Sequence, residues 1–143
     1  MNVEQHKTVV RRYYDEALNR GDLAVLDEIA SDEYIENDPF PGQGNGRADL
    51  KTRVSTLRDA FSPCVFTIED VVAEGDRVAV RWINNGTHSG AFLGMPATNR
   101  DYTIAGIDIH RLDGGRMAEH WHVVDQLSQL QQLGMIPAPT AAS

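Results

Sequence analysis

The sequence predicts an α+β fold, in which helices come first along the chain and antiparallel strands follow. Up to Phe61, apolar residues recur at the three- and four-residue spacing of helices. From Cys64 onward, the pattern changes to short runs of apolar and polar residues that are typical of strands. Turns such as Glu74-Gly75-Asp76 connect these strands, and short connections imply antiparallel neighbours. We expect the twisted sheet to wrap around the helices and to enclose a small-molecule cavity.

Three helices are predicted before the sheet. The first extends from Val3 to Asn19 and stops at Gly21, and Asp22 is a suitable N-cap for a short second helix. A loop over residues 37–46 is dense in proline and glycine, and loops of this length are often lids or site walls. The third helix follows, from Arg47 to Phe61, with Arg53 at the border of its apolar stripe.

Four strands and a final helix complete the predicted domain. The strands cover residues 65–74, 77–87, 100–112 and 116–124. Asp125 is the predicted N-cap of the last helix, which ends at Gly134; a catalytic role for this aspartate is the alternative. We expect residues 1–136 to form one domain and residues 137–143 to be a disordered tail.

Composition and charge narrow the classes of partner. The chain has 143 residues, a net charge of −8 and a pI of about 4.9. An acidic surface repels nucleic acid and anionic membranes, so we expect neither as a partner. Apolar runs are too short to cross a bilayer, and no secretory signal is visible at the N-terminus. The single cysteine, Cys64, excludes an internal disulfide and suits the cytoplasm; we expect a buried, inert thiol.

The last two strands carry the candidate catalytic residues. Asp108 and His110 share one face of their strand, and His120 and His122 share one face of the next. If Asp108 and His122 face each other, the carboxylate would raise the pKa of the histidine and fix its tautomer. A neutral histidine is a suitable general base for a proton next to a carbonyl group. The alternative is a structural hydrogen bond that joins the two strands. His110 is either part of the pocket wall or an exposed strand residue, and we favour the exposed position.

Other side chains are candidates for substrate binding. Arg53 would bind a carboxylate, phenolate or enolate oxygen, or else would extend from the edge of its helix to solvent. His120 points the same way as His122, and His88 is expected at the cavity mouth or on the surface. Aromatic residues would form either core or a pocket for a flat substrate; these are Trp82 and Tyr14, with Tyr13, Phe40, Phe92 and Trp121. His120, His122 and Asp108 together would in principle bind a metal ion, but we predict no metal.

Four segments resemble the SnoaL-like polyketide cyclase family, also called ester cyclases, within the NTF2-like superfamily. They are residues 10–22, 86–100, 114–121 and 132–134, and the resemblance extends over nearly the whole chain. It implies an NTF2-like cone, with N-terminal helices packed in the concave face of a curved antiparallel sheet. It also implies association through the outer face of the sheet, into a homodimer or homotetramer.

The same resemblance implies a reaction. Family members of known chemistry close a ring in an aromatic polyketide by intramolecular aldol condensation, with no metal or organic cofactor. They use a carboxylate on the last strand and a histidine on the preceding strand. The corresponding positions here are His122 and Asp108, so that the pair is exchanged. A polar family position on the third helix corresponds to Arg53.

We therefore predict a cofactor-independent acid/base enzyme that moves a proton next to a carbonyl group in a small hydrophobic or aromatic substrate, as an isomerase or lyase would. Two alternatives remain open. One is an enzyme of the epoxide hydrolase or isomerase type, which would need a pair of carboxylates around a water molecule. The other is a non-catalytic module of the same fold, for small-molecule binding or dimerisation.

Overall fold

The computed structural model describes residues 1–139, and residues 140–143 of the predicted tail lie outside the described residues. Residues 137–139 are exposed and have no regular secondary structure. The described chain contains the following elements: α1 (Val3–Arg12), α2 (Val25–Ile29), β1 (Ala30–Glu36), α3 (Arg47–Ala60), β2 (Phe61–Glu74), β3 (Arg77–His88), β4 (Asp101–Asp113), β5 (Arg116–Val124) and α4 (Gln126–Gln132).

The sheet has the strand order β1-β5-β4-β3-β2. Strands β2 to β5 are antiparallel, which confirms the predicted antiparallel neighbours and the α+β class. β1 was not predicted, and it pairs parallel to β5, so the sheet is mixed rather than purely antiparallel. Three of its seven residues are acidic, and acidic residues are depleted in strands. At the edge of a sheet such charges are common, because they discourage further strand pairing.

The first helix is not uniform. Asn2 caps it and accepts a hydrogen bond from the backbone of Gln5. The predicted helix over residues 3–19 is α-helical only to Arg12 and continues as a π-helical segment, Tyr13–Leu18. Single π-turns are frequent at functional sites. This segment buries Tyr14 completely and directs it at the sheet.

The second helix begins later than predicted. Gly21 adopts a φ of +74°, which ends the first helix as expected. Asp22 does not cap α2, because Leu23 and Ala24 form an intervening turn in which their carbonyl groups accept from Leu26 and Asp27. By contrast, the predicted cap of the last helix is confirmed: Asp125 accepts from the backbone of Ser128 at 3.2 Å.

The helices pack against the inner face of the sheet, where the hydrophobic core lies. Alternate residues of β3 and β4 are buried, and these include Val78, Val80 and Trp82. Cys64 is a free, buried thiol, and burial raises its pKa, as expected for an inert cysteine. Within residues 1–139, no helix is long and apolar enough to span a membrane.

Candidate active site

A cavity of about 340 Å³ lies between the inner face of the sheet, α3, the loop after β1 and the start of α4. Such a volume is within the usual range for small-molecule sites. Aromatic rings and aliphatic groups form most of its wall, including Tyr13, Phe40, Leu57, Phe66, Trp82, Phe92 and Ile104. Polar side chains interrupt this wall, among them Asp108, His120 and His122. A mainly apolar wall with some polar groups is the usual composition of a site that orients an apolar ligand.

Five of the seven predicted site residues line this cavity: His122, Asp108, Arg53, His120 and Trp82. They come together because alternate residues on β3, β4 and β5 point to the inner face of the sheet. Asp108 is paired in register with both Val80 on β3 and His122 on β5. The two remaining predictions, Tyr14 and His88, are not among the lining residues.

Asp108 is the acceptor at the centre of the polar cluster. Its Oδ2 accepts hydrogen bonds from Tyr14 Oη at 2.5 Å and from Trp82 Nε1 at 2.9 Å, and its Oδ1 lies 3.2 Å from Nε2 of His120. Burial alone would raise the pKa of Asp108, but the charge of His120 and these hydrogen bonds outweigh it and hold the pKa below its usual value. The carboxylate is therefore ionised and is a poor proton acceptor.

His120 lies between two carboxylates. Its Nδ1 is 2.7 Å from Oε1 of Glu36, and its Nε2 faces Asp108. Burial disfavours the charged ring, but the two neighbouring carboxylates outweigh burial and raise the pKa of His120 to about 9. His120 is therefore an imidazolium at neutral pH.

The prediction that Asp108 and His122 form a side-chain pair is wrong. The two residues are opposite each other in the sheet, but the histidine that contacts the Asp108 carboxylate is His120. The side chain of His122 turns toward α3, where its Nε2 lies 3.3 Å from Nη2 of Arg53. Its Nδ1 is 4.0 Å from Oε2 of Glu36. Both histidines also face Glu36 on β1, a strand that the sequence pattern did not predict.

His122 is held in its neutral form. Burial lowers its pKa below 6.5, and the positive charges of Arg53 and His120 lower it further. Because a guanidinium only donates hydrogen bonds, Nε2 of His122 is the acceptor and the ring proton lies on Nδ1. The cavity therefore contains one neutral imidazole between two cations.

Arg53 lies inside the protein and does not extend to solvent. Its side chain is 8 % exposed and its guanidinium lies over the ring of Phe40, at 4.2 Å. Besides His122, it donates to the backbone carbonyl of Asp38 at 3.2 Å. No carboxylate of the described residues lies within 4.0 Å of this guanidinium, so it can donate a hydrogen bond to a ligand oxygen.

The prediction that His110 is exposed is wrong, because this residue is 1 % exposed. It shares the inner face of β4 with Asp108, as the strand period requires. Its Nε2 is 2.8 Å from Tyr14 Oη, and its ring stacks on His120 with centroids 4.8 Å apart. Burial, together with the charge of His120, lowers the pKa of His110 to about 3. A neutral His110 donates to Tyr14, which in turn donates to Asp108.

His88 is also deeper than predicted. It is fully buried, packs on Phe61 and has its Nδ1 3.0 Å from Oγ1 of Thr98, rather than lying at the cavity mouth or on the surface. Trp82 lines the cavity and also donates a hydrogen bond to Asp108. The indole lies across β4 because residue 106 is glycine: a Cβ there would be 2.2 Å from Cζ2 of Trp82.

Two functional candidates were missed by the sequence reasoning, Glu36 and Asp38. Glu36 is 5 % exposed, and its carboxylate contacts His120. Asp38 accepts from the backbone N–H of His122 at 3.0 Å, which anchors the start of the loop beside the cavity. The signal available in the sequence was an acidic residue that directly precedes a proline- and glycine-rich loop.

Two groups of side chains have the composition of metal ligands: Glu36, His120 and His122, and Asp108, His110 and His120. In both groups, however, His120 contacts carboxylates through both ring nitrogens. A metal ion would have to displace the ring proton and compete with these ion pairs.

Fold and site together define a class of protein: an α+β cone whose sheltered cavity holds histidines and ionised carboxylates on neighbouring strands. Residues 8–133 match the family model described as SnoaL-like polyketide cyclase. The chain belongs to this family, as the resemblance of its sequence segments predicted.

Curated relatives and solved structures agree with this assignment. The chain is 31% identical over 140 residues to aklanonic acid methyl ester cyclase DauD from Streptomyces sp. (strain C5), with 92% of this chain and 83% of DauD covered. It is 31% identical over 140 residues to aklanonic acid methyl ester cyclase DnrD from Streptomyces peucetius, with 92% of both chains covered. The structure of TsrD from Streptomyces laurentii superimposes with a TM-score of 0.87 at 26% identity, covering 95% of this chain and 99% of TsrD.

These findings confirm the predicted cone and support a cyclase of this family. Neither alternative function gains comparable support. An epoxide hydrolase would need two carboxylates free to flank a water molecule, whereas Glu36 and Asp108 both contact His120. A module for dimerisation alone would need no open cavity, whereas about 340 Å³ is open here.

Proposed function

We propose that this protein catalyses an intramolecular aldol condensation in a small aromatic polyketide, with its own side chains as acid and base and with no metal or organic cofactor. One observation carries the proposal: a neutral histidine, His122, lies on the cavity wall between two cations, Arg53 and His120. A base that is neutral at pH 7 and adjacent to fixed positive charge is suited to forming an enolate.

His122 is the proposed general base. It takes a proton from the carbon next to a carbonyl group, and the resulting enolate carbon attacks a second carbonyl carbon of the same molecule. One C–C bond forms, and the alkoxide oxygen takes the proton back from the His122 imidazolium. The product is an isomer of the substrate, so no co-reactant is needed. General acid–base catalysis of this kind contributes about 10²–10⁴-fold to the rate.

Arg53 is the proposed partner of the developing oxyanion. Its guanidinium donates to Nε2 of His122. A substrate oxygen that takes over this N–H group would free the Nε2 lone pair and would place the neighbouring C–H close to the base. His120 adds positive charge to the same wall. Asp108, which was predicted as a catalytic partner, is better suited to holding His120 and Trp82 in place, because its own pKa is lowered.

The cavity wall supports an aromatic substrate. Phe40, Phe66, Trp82 and Phe92 surround the open volume, and flat rings pack well against such walls. By analogy with the relatives that are named as cyclases of aklanonic acid methyl ester, we propose an anthraquinone-type β-keto ester as the substrate class.

A panel of anthraquinone-type and simpler aryl β-keto esters tests this function. We expect at least one compound to give a product of unchanged mass with one new ring, detected by liquid chromatography, mass spectrometry and NMR. His122→Ala should abolish the conversion, and His6→Gln, which changes a histidine that contacts the distant Gly75 carbonyl, should retain it. Equal turnover by the His122→Ala variant would end the assignment of the base.

We also propose that the protein works in the cytoplasm as a homodimer or homotetramer. Apolar side chains on the outer face of the sheet support association: Ile107, Ile109 and Val123 are exposed, the last by 78 %. Light scattering should show an oligomer that Val123→Glu weakens. A monomer in the wild-type protein would contradict this part of the proposal.

A further inference from the structure

We propose that Glu36 is a positioning residue for the reaction: together with Asp108 it clamps the ring of His120 through both nitrogens and fixes a positive charge on the cavity wall. This inference rests on the proposed function, because it explains how the charge beside the base is maintained. Glu36 comes from β1, and its carboxylate has no contact with the substrate in this role.

The contacts on both sides of the ring support the clamp. Oε1 of Glu36 lies 2.7 Å from Nδ1 of His120, and Oδ1 of Asp108 lies 3.2 Å from Nε2. The Glu36 carboxylate is itself oriented, since Oε2 accepts from the backbone N–H of Asp38 at 3.2 Å and Oε1 accepts from Tyr34 Oη at 3.5 Å. His120 is only 2 % exposed, so both contacts are shielded from bulk solvent.

The positions of the two carboxylates favour a charged ring. A neutral imidazole has one N–H group, and its second nitrogen presents a lone pair. With carboxylates at both nitrogens, a neutral His120 would direct that lone pair at an anion. The imidazolium has an N–H group at each nitrogen: Nδ1–H donates to Glu36, and the protonated Nε2 lies 3.2 Å from Oδ1 of Asp108 as an ion pair without an aligned hydrogen bond.

The clamped charge acts on the proposed base. The rings of His120 and His122 lie 5.1 Å apart, and the charge of His120 is one cause of the lowered pKa of His122. It also favours an enolate oxygen that develops near the same wall. Without Glu36, His120 would lose one of its two anionic partners and would release its proton at a lower pH.

Other titratable groups surround the ring without replacing this contact. The anions that contact His120 are Glu36 and Asp108. The remaining groups in the same cluster come from the first helix, β1, the loop after it, α3, β4 and β5, and are Tyr13, Tyr14, Tyr34, Asp38, Arg53, His110 and His122.

Histidine-selective NMR titration of the whole chain tests the clamp without any substrate. Isotope-labelled wild-type protein, Glu36→Gln and a matched control, Glu33→Gln, are compared; Glu33 is an exposed residue of the same strand. The His120 signal is assigned by its loss in His120→Gln. We expect a titration midpoint near 9 in the wild type and in Glu33→Gln. In Glu36→Gln the midpoint should fall by about 1–3 pH units.

Two results would overturn the clamp: a neutral His120 at pH 7 in the wild type, or an unchanged midpoint in Glu36→Gln. Glu36→Asp, which keeps the charge, should retain a midpoint above that of Glu36→Gln. If Glu36→Gln does not fold, as judged by near-UV circular dichroism, the His120 midpoints of the wild type and of Glu36→Asp still test whether the ring is charged at pH 7. A protein that passes this titration but converts no substrate retains the clamp and contradicts only the proposed reaction.

Discussion

Tyr14 and Asp108 are 94 residues apart in the sequence, and the phenol of Tyr14 donates a hydrogen bond of 2.5 Å to the Asp108 carboxylate. This contact connects the π-helical segment Tyr13–Leu18 to the middle of β4. The same phenol oxygen contacts Nε2 of His110, so Tyr14 connects His110 to Asp108 at the cavity. The charged cluster is therefore supported from behind by residues that do not line the cavity.

Removal of this phenol should weaken the fold and the site together. In Tyr14→Phe, Asp108 loses a donor and His110 loses its acceptor, and an unsatisfied buried polar group costs about 1–3 kcal/mol. We expect a loss of this size in the free energy of unfolding, measured by denaturant titration. The matched control is Tyr13→Phe, because the neighbouring Tyr13 hydroxyl has no hydrogen bond within residues 1–139. Equal losses in the two variants would contradict this role of Tyr14.

Replacement of Arg53 should change the protonation of His122. The Arg53 charge contributes to the lowered pKa of His122, so Arg53→Gln should raise that pKa toward 6.5. The change is measured by NMR titration of labelled histidine. Lys51→Gln removes a positive charge from the outer side of the same helix, where Lys51 pairs with Asp27, and should leave the His122 titration unchanged. A His122 pKa that is the same in Arg53→Gln and the wild type would disprove the coupling.

Gly106 should be sensitive to the addition of one methyl group. A Cβ at this position would lie 2.2 Å from the Trp82 indole, so that Gly106→Ala must displace the ring and break its hydrogen bond to Asp108. Overpacking of this kind costs about 1–3 kcal/mol. We expect a lower melting temperature and altered near-UV circular dichroism. Ala105→Ser, at the exposed neighbouring position, is the control; a Gly106→Ala variant as stable as this control would contradict the steric argument.

Much of the fold could be predicted because β3 and β4 alternate burial regularly, and because short glycine turns join β2 to β3 and β4 to β5. The same alternation placed His122, His120 and Asp108 on one face. The choice between His120 and His122 as the partner of Asp108 could not be predicted. Side-chain direction depends on contacts with α3 and β1, and a period of two does not contain that information.

Glu36 shows the limit of the sequence more clearly. Its strand is acidic and half exposed, so neither hydrophobicity nor strand propensity distinguishes it from a loop. The parallel pairing of β1 with β5 is a tertiary contact, and that contact turns Glu36 toward the last two histidines. The π-helical turn at Tyr14 could not be predicted either, because the apolar spacing of that segment also suits an ordinary α-helix.

The charged state of His120 should make stability depend on pH in a defined direction. The folded-state pKa of about 9 lies above the usual value of about 6.5, so the native state binds the proton more tightly. This stabilisation is fully present below about pH 6.5 and is lost as the pH rises through about 9. Each unit of pKa difference corresponds to about 1.4 kcal/mol.

Denaturant titrations from pH 6.5 to pH 9.5 check this dependence. We expect the free energy of unfolding of the wild type to fall across this window, and we expect the decline to be much smaller in His120→Gln. Parallel declines in both proteins would show that another group is responsible.

The most direct test of the account is the exchange of α-protons for deuterium in a bound aryl methyl ketone, 2-acetylnaphthalene, followed by proton NMR. We expect the wild type to accelerate exchange, with a rate that rises through a pKa of His122 below 6.5 and stays high until His120 loses its proton at about pH 9. His122→Ala should lose about 10²–10⁴-fold of this acceleration. Exchange at the wild-type rate in His122→Ala would contradict the central claim that His122 removes the proton.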